Sequence, residues 1–331
     1  MKYLVTSALP YANAPLHLGH VLEIVQTDVW VRHKNLTEDE ALYFCASDTH
    51  GTPIMLKAKE LNITAEELID DLHKKHHQTF KSFNVKLANF HSTHSEENKE
   101  LTAEIFLKAL EKKYIHKKKI SQLFDEKEQI FLSDRFVKGT CPSCGAEDQY
   151  GDACEKCGST YDALDLIDPK SVLTNTVPVI KESEHYFFKL NELQTFLKTN
   201  IQHISRQTPI KAKLDEWLDK DLKDWDVSRD EPYFGFNIPG ETTKYIYVWM
   251  DAPVGYLASI KNWSNKNKID FEELINKENV KLVHFIGKDI VYFHLLFWPA
   301  MLKTFDINNL DEVFVHGFLT IEGNKMSKSK G

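Results

Sequence analysis

The stretch KYLVTSALPYANAPLHLGH, residues 2–20, decides the fold. Lys2 to Ser7 is a short β-rich run, Pro10, Asn13 and Pro15 are turn formers, and a helical pattern then extends from about Leu18 to Lys34. This reads as strand, loop and helix. Working outward, Glu40 to Ser47 (EALYFCAS) is a second buried strand and Thr52 onward a further helix, giving the βαβα rhythm of a parallel sheet covered by helices. Helical patterns with charged faces continue through Thr64 to Phe83 and Ser95 to Lys113. Around Ile115 the character changes. Lys117, Lys118 and Lys119, strand-like pieces at Ile120 to Phe124 and Ile130 to Leu132, a group of cysteines, Pro169 and Pro178 mark an inserted module. The βα pattern resumes with Lys244 to Trp249, Lys281 to Gly287 and Glu312 to His316, so the sheet is expected to be interrupted and then completed.

The chain has 331 residues, of which 42% are apolar and 27% charged, enough to bury a sizeable core. Its formal charge of -8 excludes a surface with general affinity for polyanions, so any nucleic-acid contact needs a local basic patch. The apolar start is short and runs directly into the turn residues, unlike a signal peptide. The most apolar segment, Ile290 to Leu302, is broken by His294 and Pro299 and is shorter than the roughly 20 residues of a membrane span. A cytoplasmic location is the expectation. Of the 5 cysteines, only Cys45 stands outside residues 141–157, a distribution that suits a metal site better than a disulfide framework.

Cys141-Pro-Ser-Cys144 and Cys154-Glu-Lys-Cys157 are two C-x-x-C knuckles, with Gly145 and Gly158 directly after each pair. Four thiolates at about 2.3 Å from one ion form a closed tetrahedral site, and glycine turns present such pairs without strain. The expectation is one structural Zn2+ held by Cys141, Cys144, Cys154 and Cys157. Four buried small hydrophobes are the plainer alternative.

Two imidazoles, His17 and His20, flank Gly19 at a helix entry, where backbone N–H groups and the helix dipole favour phosphate. As a bare string this is a weak signal. At the other end of the chain, Gly323-Asn-Lys325-Met-Ser-Lys328-Ser-Lys-Gly331 reads as a basic loop able to bring ammonium groups onto a triphosphate. Together the two strings resemble the HIGH and KMSKS signatures of class I aminoacyl-tRNA synthetases, with Leu18 in the place of isoleucine. Ala8 to Asn13 (ALPYAN), Asp48 to Pro53 (DTHGTP), the four-cysteine insertion, Tyr247 to Pro253 (YVWMDAP) and Ile286 to Asp289 (IGKD) narrow the resemblance to the methionyl-tRNA synthetase family. It covers essentially the whole chain.

The resemblance implies an α/β, Rossmann-type (HUP-like) parallel sheet split by an inserted zinc-binding connective-peptide domain. Its first half would span 1–115, the insertion 116–228, the second half 229–317 and the KMSKS loop 318–331. Members continue into a helical anticodon-binding domain, and a chain stopping at Gly331 is read as a fragment. The implied reaction is attack of the methionine carboxylate on the α-phosphate of ATP, giving methionyl-adenylate and pyrophosphate, followed by transfer to the 2′-hydroxyl at the end of tRNA(Met). His17, His20, Lys325 and Lys328 would stabilise the phosphates with Mg2+ present, and Gly19, Gly287, Asp289 and His316 would complete the ATP site. The methionine pocket would be built from Leu9, Tyr11, Trp249, Ala252, Pro253, Tyr256, Phe293, His294 and Trp298, with Asp48 receiving the amino group and Arg229 in support. Aromatic walls suit a polarizable thioether, although aromatic stripes more often belong to a core. On a regular helix from about Asp289, positions 289, 293 and 297 would share one stripe and 294 another with 298. Apolar selection discriminates against homocysteine by only about 1–3 kcal/mol, and the family answers by cyclising activated homocysteine to a thiolactone in the same site. Rivals are another nucleotidyltransferase or synthetase of the superfamily, for cysteine or a branched aliphatic amino acid, and a non-catalytic zinc-ribbon RNA-binding module.

Overall fold

A computed structural model describes residues 1–37, 39–132, 134–159, 161–200, 203–307, 310–321 and 324–325, the backbone alone being described at 320, 321, 324 and 325. Five strands form one parallel sheet: β1 (Lys2–Ser7), β2 (Glu40–Ser47), β3 (Asn89–Ser92), β4 (Val280–Gly287) and β5 (Leu310–His316), in the order β5-β4-β1-β2-β3. The run of apolar residues in the central strands has a simple cause. Leu4, Phe44, Leu282 and Ile286 point into one core, while Val5, Tyr43, Cys45, Val283 and Phe285 point into the other. A parallel strand covered by helices on both faces has no water-facing side and needs no polar alternation.

One core is closed by α1 (Leu18–Asn35) through Ile24 and Val31, and by Phe80 of α3 (Ala65–Ser82). The other packs against α4 (Glu96–Glu111) and α5 (Val248–Asn267), with Leu101, Ile105, Val254, Leu257 and Ile260 buried at the contact. Between β2 and α3 lies α2 (Thr52–Leu61), which starts at Gly51. Among the described residues no helix is long and apolar enough to cross a membrane.

The insertion is built differently. Ile115–Asp125 pairs antiparallel with Val179–Phe188 from Ile115 to Phe124, and Ile130–Phe131 and Trp225–Asp226 flank them in a four-stranded sheet. A three-stranded sheet of Gln149–Tyr150, Val137–Thr140 and Ile167–Ser171 carries the cysteine knuckles. The expected strand at Lys244 to Trp249 is corrected: only Lys244–Ile246 is extended, and it pairs antiparallel with Ser228–Asp230 outside the parallel sheet. From Val248 the chain is already helical, and Met250 N–H and Asp251 N–H donate to the Tyr247 carbonyl. The fifth parallel strand is the unforeseen Asn89–Ser92, whose NFHS sequence is too short and polar to read as buried.

Candidate active site

A cavity of about 720 Å³ opens beyond the carboxyl ends of β1 and β4, the neighbours on which the strand order reverses. Open α/β sheets present ligands with a crevice at that position, and the volume lies within the range of small-molecule sites.

The loop after β1 delivers the start of α1 to this cavity, with His17, Gly19 and His20 on its wall. His17 Nδ1 accepts from Gly19 N–H at 3.1 Å, and His20 Nδ1 accepts from His17 N–H at 3.1 Å, so two imidazoles make the capping box usually built from Ser/Thr and Glu. The rings lie 3.8 Å apart, centroid to centroid. Because both Nδ1 atoms accept, the proton of each neutral ring sits on Nε2, at a helix start whose first turn carries no acid. At Gly19 a Cβ would come within 2.8 Å of His17 Cε1 and displace the capping ring. One turn further along, Glu23 Oε2 meets His316 Nε2 at 2.9 Å, joining α1 to the end of β5. The bond to Glu23 raises the His316 pKa, and burial raises that of Glu23. Gly287 and Asp289 also line the cavity, and a Cβ at 287 would lie 2.5 Å from Asp289 Oδ1. Asn324–Lys325 pairs with Thr320–Ile321; the Lys325 side chain and Lys328 lie outside the described residues.

The same cavity has an aromatic wall. Trp249 stacks on Phe293 with centroids 4.1 Å apart and planes 20° off parallel. Tyr256 donates its hydroxyl to His294 Nε2 at 2.8 Å, while His294 Nδ1 donates to the Ile290 carbonyl at 3.0 Å, which fixes a neutral tautomer. Burial lowers the His294 pKa to about 4. Trp298 spends its indole N–H on His284 Nε2 at 3.0 Å, so it offers only its ring. Leu9, Tyr11, Ala252 and Pro253 line the cavity as well. The regular-helix stripes expected from Asp289 are corrected: Lys288–Ile290 is a 3₁₀ turn and Phe293–Phe297 a π turn, in which Trp298 N–H bonds to the Phe293 carbonyl. The wider turn brings Phe293, His294, Phe297 and Trp298 to the wall together.

Asp48 follows β2 and reaches the wall with Oδ1 buried and without a hydrogen-bond partner. Burial first, and the nearby Asp251 carboxylate second, hold its pKa well above the usual range. Arg229 keeps the ion pair that its sequence neighbours allow, Nη1 lying 3.5 Å from Asp226 Oδ2, but in a largely buried place rather than on the surface. Its guanidinium lies 3.5 Å from the Tyr247 ring centroid and donates to the Ser228 carbonyl at 2.6 Å, and its side chain is 17% exposed. Every sequence-derived candidate outside the cysteine cluster and the KMSKS loop therefore lines one cavity. Sequence reasoning missed Glu23, Phe297, Tyr233, Tyr247 and, from the insertion, Asp134, Arg135 and Asp152. Glu23 had a legible signal in its place one turn after His20, Tyr247 in opening the YVWMDAP string, and Phe297 in sharing a stripe with positions 289 and 293.

The four knuckle thiols form a cluster with all Sγ atoms within 4.8 Å of one another. Cys141 and Cys157 Sγ lie 3.9 Å apart, and Cys144 and Cys154 Sγ 3.6 Å apart. A tetrahedral ion with bonds of about 2.3 Å requires sulfur edges of about 3.8 Å. The donor set thus fits Zn2+. The knuckles are alike: Gly145 and Gly158 take φ of +71° and +75°, and their N–H groups donate to the carbonyls of Cys141 and Cys154 at 3.0 and 2.9 Å.

A family model described as tRNA synthetases class I (M) matches residues 3–331. Among solved structures, Mycobacterium tuberculosis methionyl-tRNA synthetase in complex with methionyl-adenylate aligns with a TM-score of 0.76 at 23% identity, over 99% of this chain and 59% of that one. A second structure of the same enzyme, bound by methionyl-adenylate (Met-AMP), aligns with a TM-score of 0.75 at 21% identity and the same coverages of 99% and 59%. The chain spans about 59% of the length of these neighbours, and the likeness is one of fold.

Proposed function

The chain belongs to the tRNA synthetases class I (M), and from that membership we propose that it activates L-methionine with ATP and passes the methionyl group to tRNA(Met). The observation that carries this reading is the composition of a single cavity. It joins an anion-binding helix start to an aromatic wall and an unpartnered carboxylate oxygen.

In the proposed first step the methionine carboxylate attacks the α-phosphate and pyrophosphate leaves. Negative charge grows on the phosphates, and the Nε2–H groups of His17 and His20, at a helix N-terminus, would donate to it. Lys325 and Lys328 would meet the pyrophosphate from the other side, with Mg2+ arriving on the nucleotide. Gly287, Asp289 and His316, at the ends of β4 and β5, would hold the nucleoside, the Glu23 contact fixing the His316 ring. The thioether would lie against Trp249, Phe293 and His294, and its ammonium group would meet Asp48. A neutral His294 suits that role, because a buried imidazolium would cost desolvation and would repel the substrate ammonium group. No side chain acts as a nucleophile. Catalysis on this reading is positioning and electrostatic stabilisation. Zn2+ in the knuckles would be structural, since four thiolates leave no open coordination position.

Pyrophosphate exchange with a panel of amino acids tests the proposal: exchange driven by methionine supports it, and exchange driven only by another amino acid overturns the specificity. Lys328→Ala is expected to lower exchange by ~100-fold while leaving methionine affinity within about twofold. An equal loss of both contradicts the assigned role.

A further inference from the structure

His185, on the long strand Val179–Phe188 of the insertion, is fully buried and has a carboxylate on each ring nitrogen. Its Nδ1 lies 2.7 Å from Asp226 Oδ2 and its Nε2 2.9 Å from Asp230 Oδ2. A neutral imidazole has one N–H to give, so it satisfies one carboxylate and sets a bare lone pair against the other; the imidazolium satisfies both. The two carboxylates are themselves held. Asp226 Oδ1 accepts from Ser228 N–H at 3.0 Å and from Ser228 Oγ at 3.1 Å, and Asp230 Oδ1 meets Lys244 Nζ, which also donates to Ser183 Oγ at 2.6 Å. Between these aspartates in the chain stands Arg229, which lines the cavity, whereas His185 does not. Arg229 Nη1 lies 3.5 Å from Asp226 Oδ2, the oxygen that His185 holds at 2.7 Å. Two cations therefore compete for one oxygen, and the imidazolium is the nearer.

Resting on the reading of Arg229 as support for the substrates, we propose that His185 is a positioning residue: as an imidazolium it occupies Asp226 and leaves the Arg229 guanidinium on the cavity wall for a substrate oxyanion. Without its proton, Asp226 draws Arg229 back into a closed ion pair. Burial works against the charge on His185, but its bonds to Asp226 and Asp230 outweigh that effect and raise its pKa above the ordinary value. The ring therefore keeps its second proton past the ordinary histidine range and gives it up only as pH rises further. Besides Asp226 and Asp230, the charged groups around the ring are Lys244, on Asp230, and Lys118, its register partner on the adjacent strand. Arg229 in turn faces Asp134 and the phenols of Tyr233 and Tyr247.

Nitrogen-15 NMR of the intact chain should show both ring nitrogens of His185 protonated at neutral pH, and the Arg229 Nε–H signal should shift as His185 loses its proton at higher pH. A His185 with a single N–H at neutral pH overturns the proposal. In methionine-dependent pyrophosphate exchange, an alkaline fall should run through the same pH and be absent from His185→Gln, whose rate at neutral pH should be about tenfold lower. A merely structural histidine would give losses that add. With Arg229→Gln already in place, His185→Gln should therefore cost less than about twofold more, and a further loss of about tenfold overturns the positioning role. Methionine affinity separates the two oxyanions: a loss in step with the rate puts the guanidinium on the amino-acid carboxylate, and an unchanged affinity puts it on the phosphate. If the variant does not fold, or if no amino acid drives exchange and the proposed reaction fails, the NMR titration still decides: His185 and Arg229 signals that move together uphold the clamp, and signals that move independently overturn it.

Discussion

His294 shows how much one residue can carry. Its ring is buried against the aromatic wall, its tautomer fixed by the Ile290 carbonyl on one nitrogen and the Tyr256 hydroxyl on the other. Burial lowers its pKa to about 4, and the same cause does so for His73 on α3. Below the ordinary histidine value of 6.5 the unfolded chain takes up protons at these positions, and the folded chain does not until about pH 4. Their contribution to stability is therefore full above pH 6.5 and falls as pH drops toward 4. Urea midpoints measured across that interval should decline steadily, and Tyr256→Phe, which removes the phenol partner, should change the slope. Gly51 carries a different constraint, a φ of +106° with a new Cβ placed 3.3 Å from the Tyr11 hydroxyl. Gly51→Ala should cost about 1–3 kcal/mol of unfolding free energy and weaken amino-acid binding through Tyr11, which equilibrium unfolding and calorimetry would read. Single residues were the most legible part of the site, because Trp249, Tyr11 and Asp48 stand in strings of distinctive chemistry. Phe297 and Asp134 stand in no such string and reach the cavity only through the tertiary fold.

Elements were legible where one local rule governed them. Leu18–Asn35 begins where the imidazole pair can cap it and ends after Arg32, His33 and Lys34, which favour a helix C-terminus. Glu40–Ser47 is a continuous apolar run with the bounds that its composition implies. Asn89–Ser92 escaped because its four residues owe their extended form to β2, whose edge they complete. Lys244 to Trp249 looked like a strand because aromatic and β-branched residues alternate there, yet helix α5 takes its last two residues. The π turn at Phe293–Phe297 leaves no mark in the composition. The cysteine knuckles are the opposite case, since their spacing and paired glycines state the geometry outright. Removing the ion with a chelator, or Cys154→Ser, should expose the module of residues 137–171 to protease and hydrogen exchange before the parallel sheet. Metal analysis of undenatured protein should find about one Zn2+ per chain, and finding none would overturn the assignment.

At the scale of the whole molecule, a cavity placed by the reversal of strand order around β1 and β4 gathers side chains from positions 8 to 319. The two halves of the sheet are far apart in sequence and adjacent in space, Lys2 pairing with Val280 and Ser7 with Phe285. That adjacency makes the chemistry possible, because His17 and His20 arrive from the first half and Trp249, Phe293 and His294 from the second. The insertion adds Asp134 and Asp152 to the same wall, a contribution that the sequence pattern did not reveal, since nothing in a knuckle module marks which of its loops turns toward the sheet. We propose that this shared cavity joins methionine to AMP. The most direct test is mass spectrometry of the nucleotide held by the protein after incubation with ATP, Mg2+, pyrophosphatase and an equimolar mixture of the amino acids. Methionyl-adenylate is expected as the dominant bound adenylate; an adenylate of another amino acid, or none at all, would overturn the proposed activity.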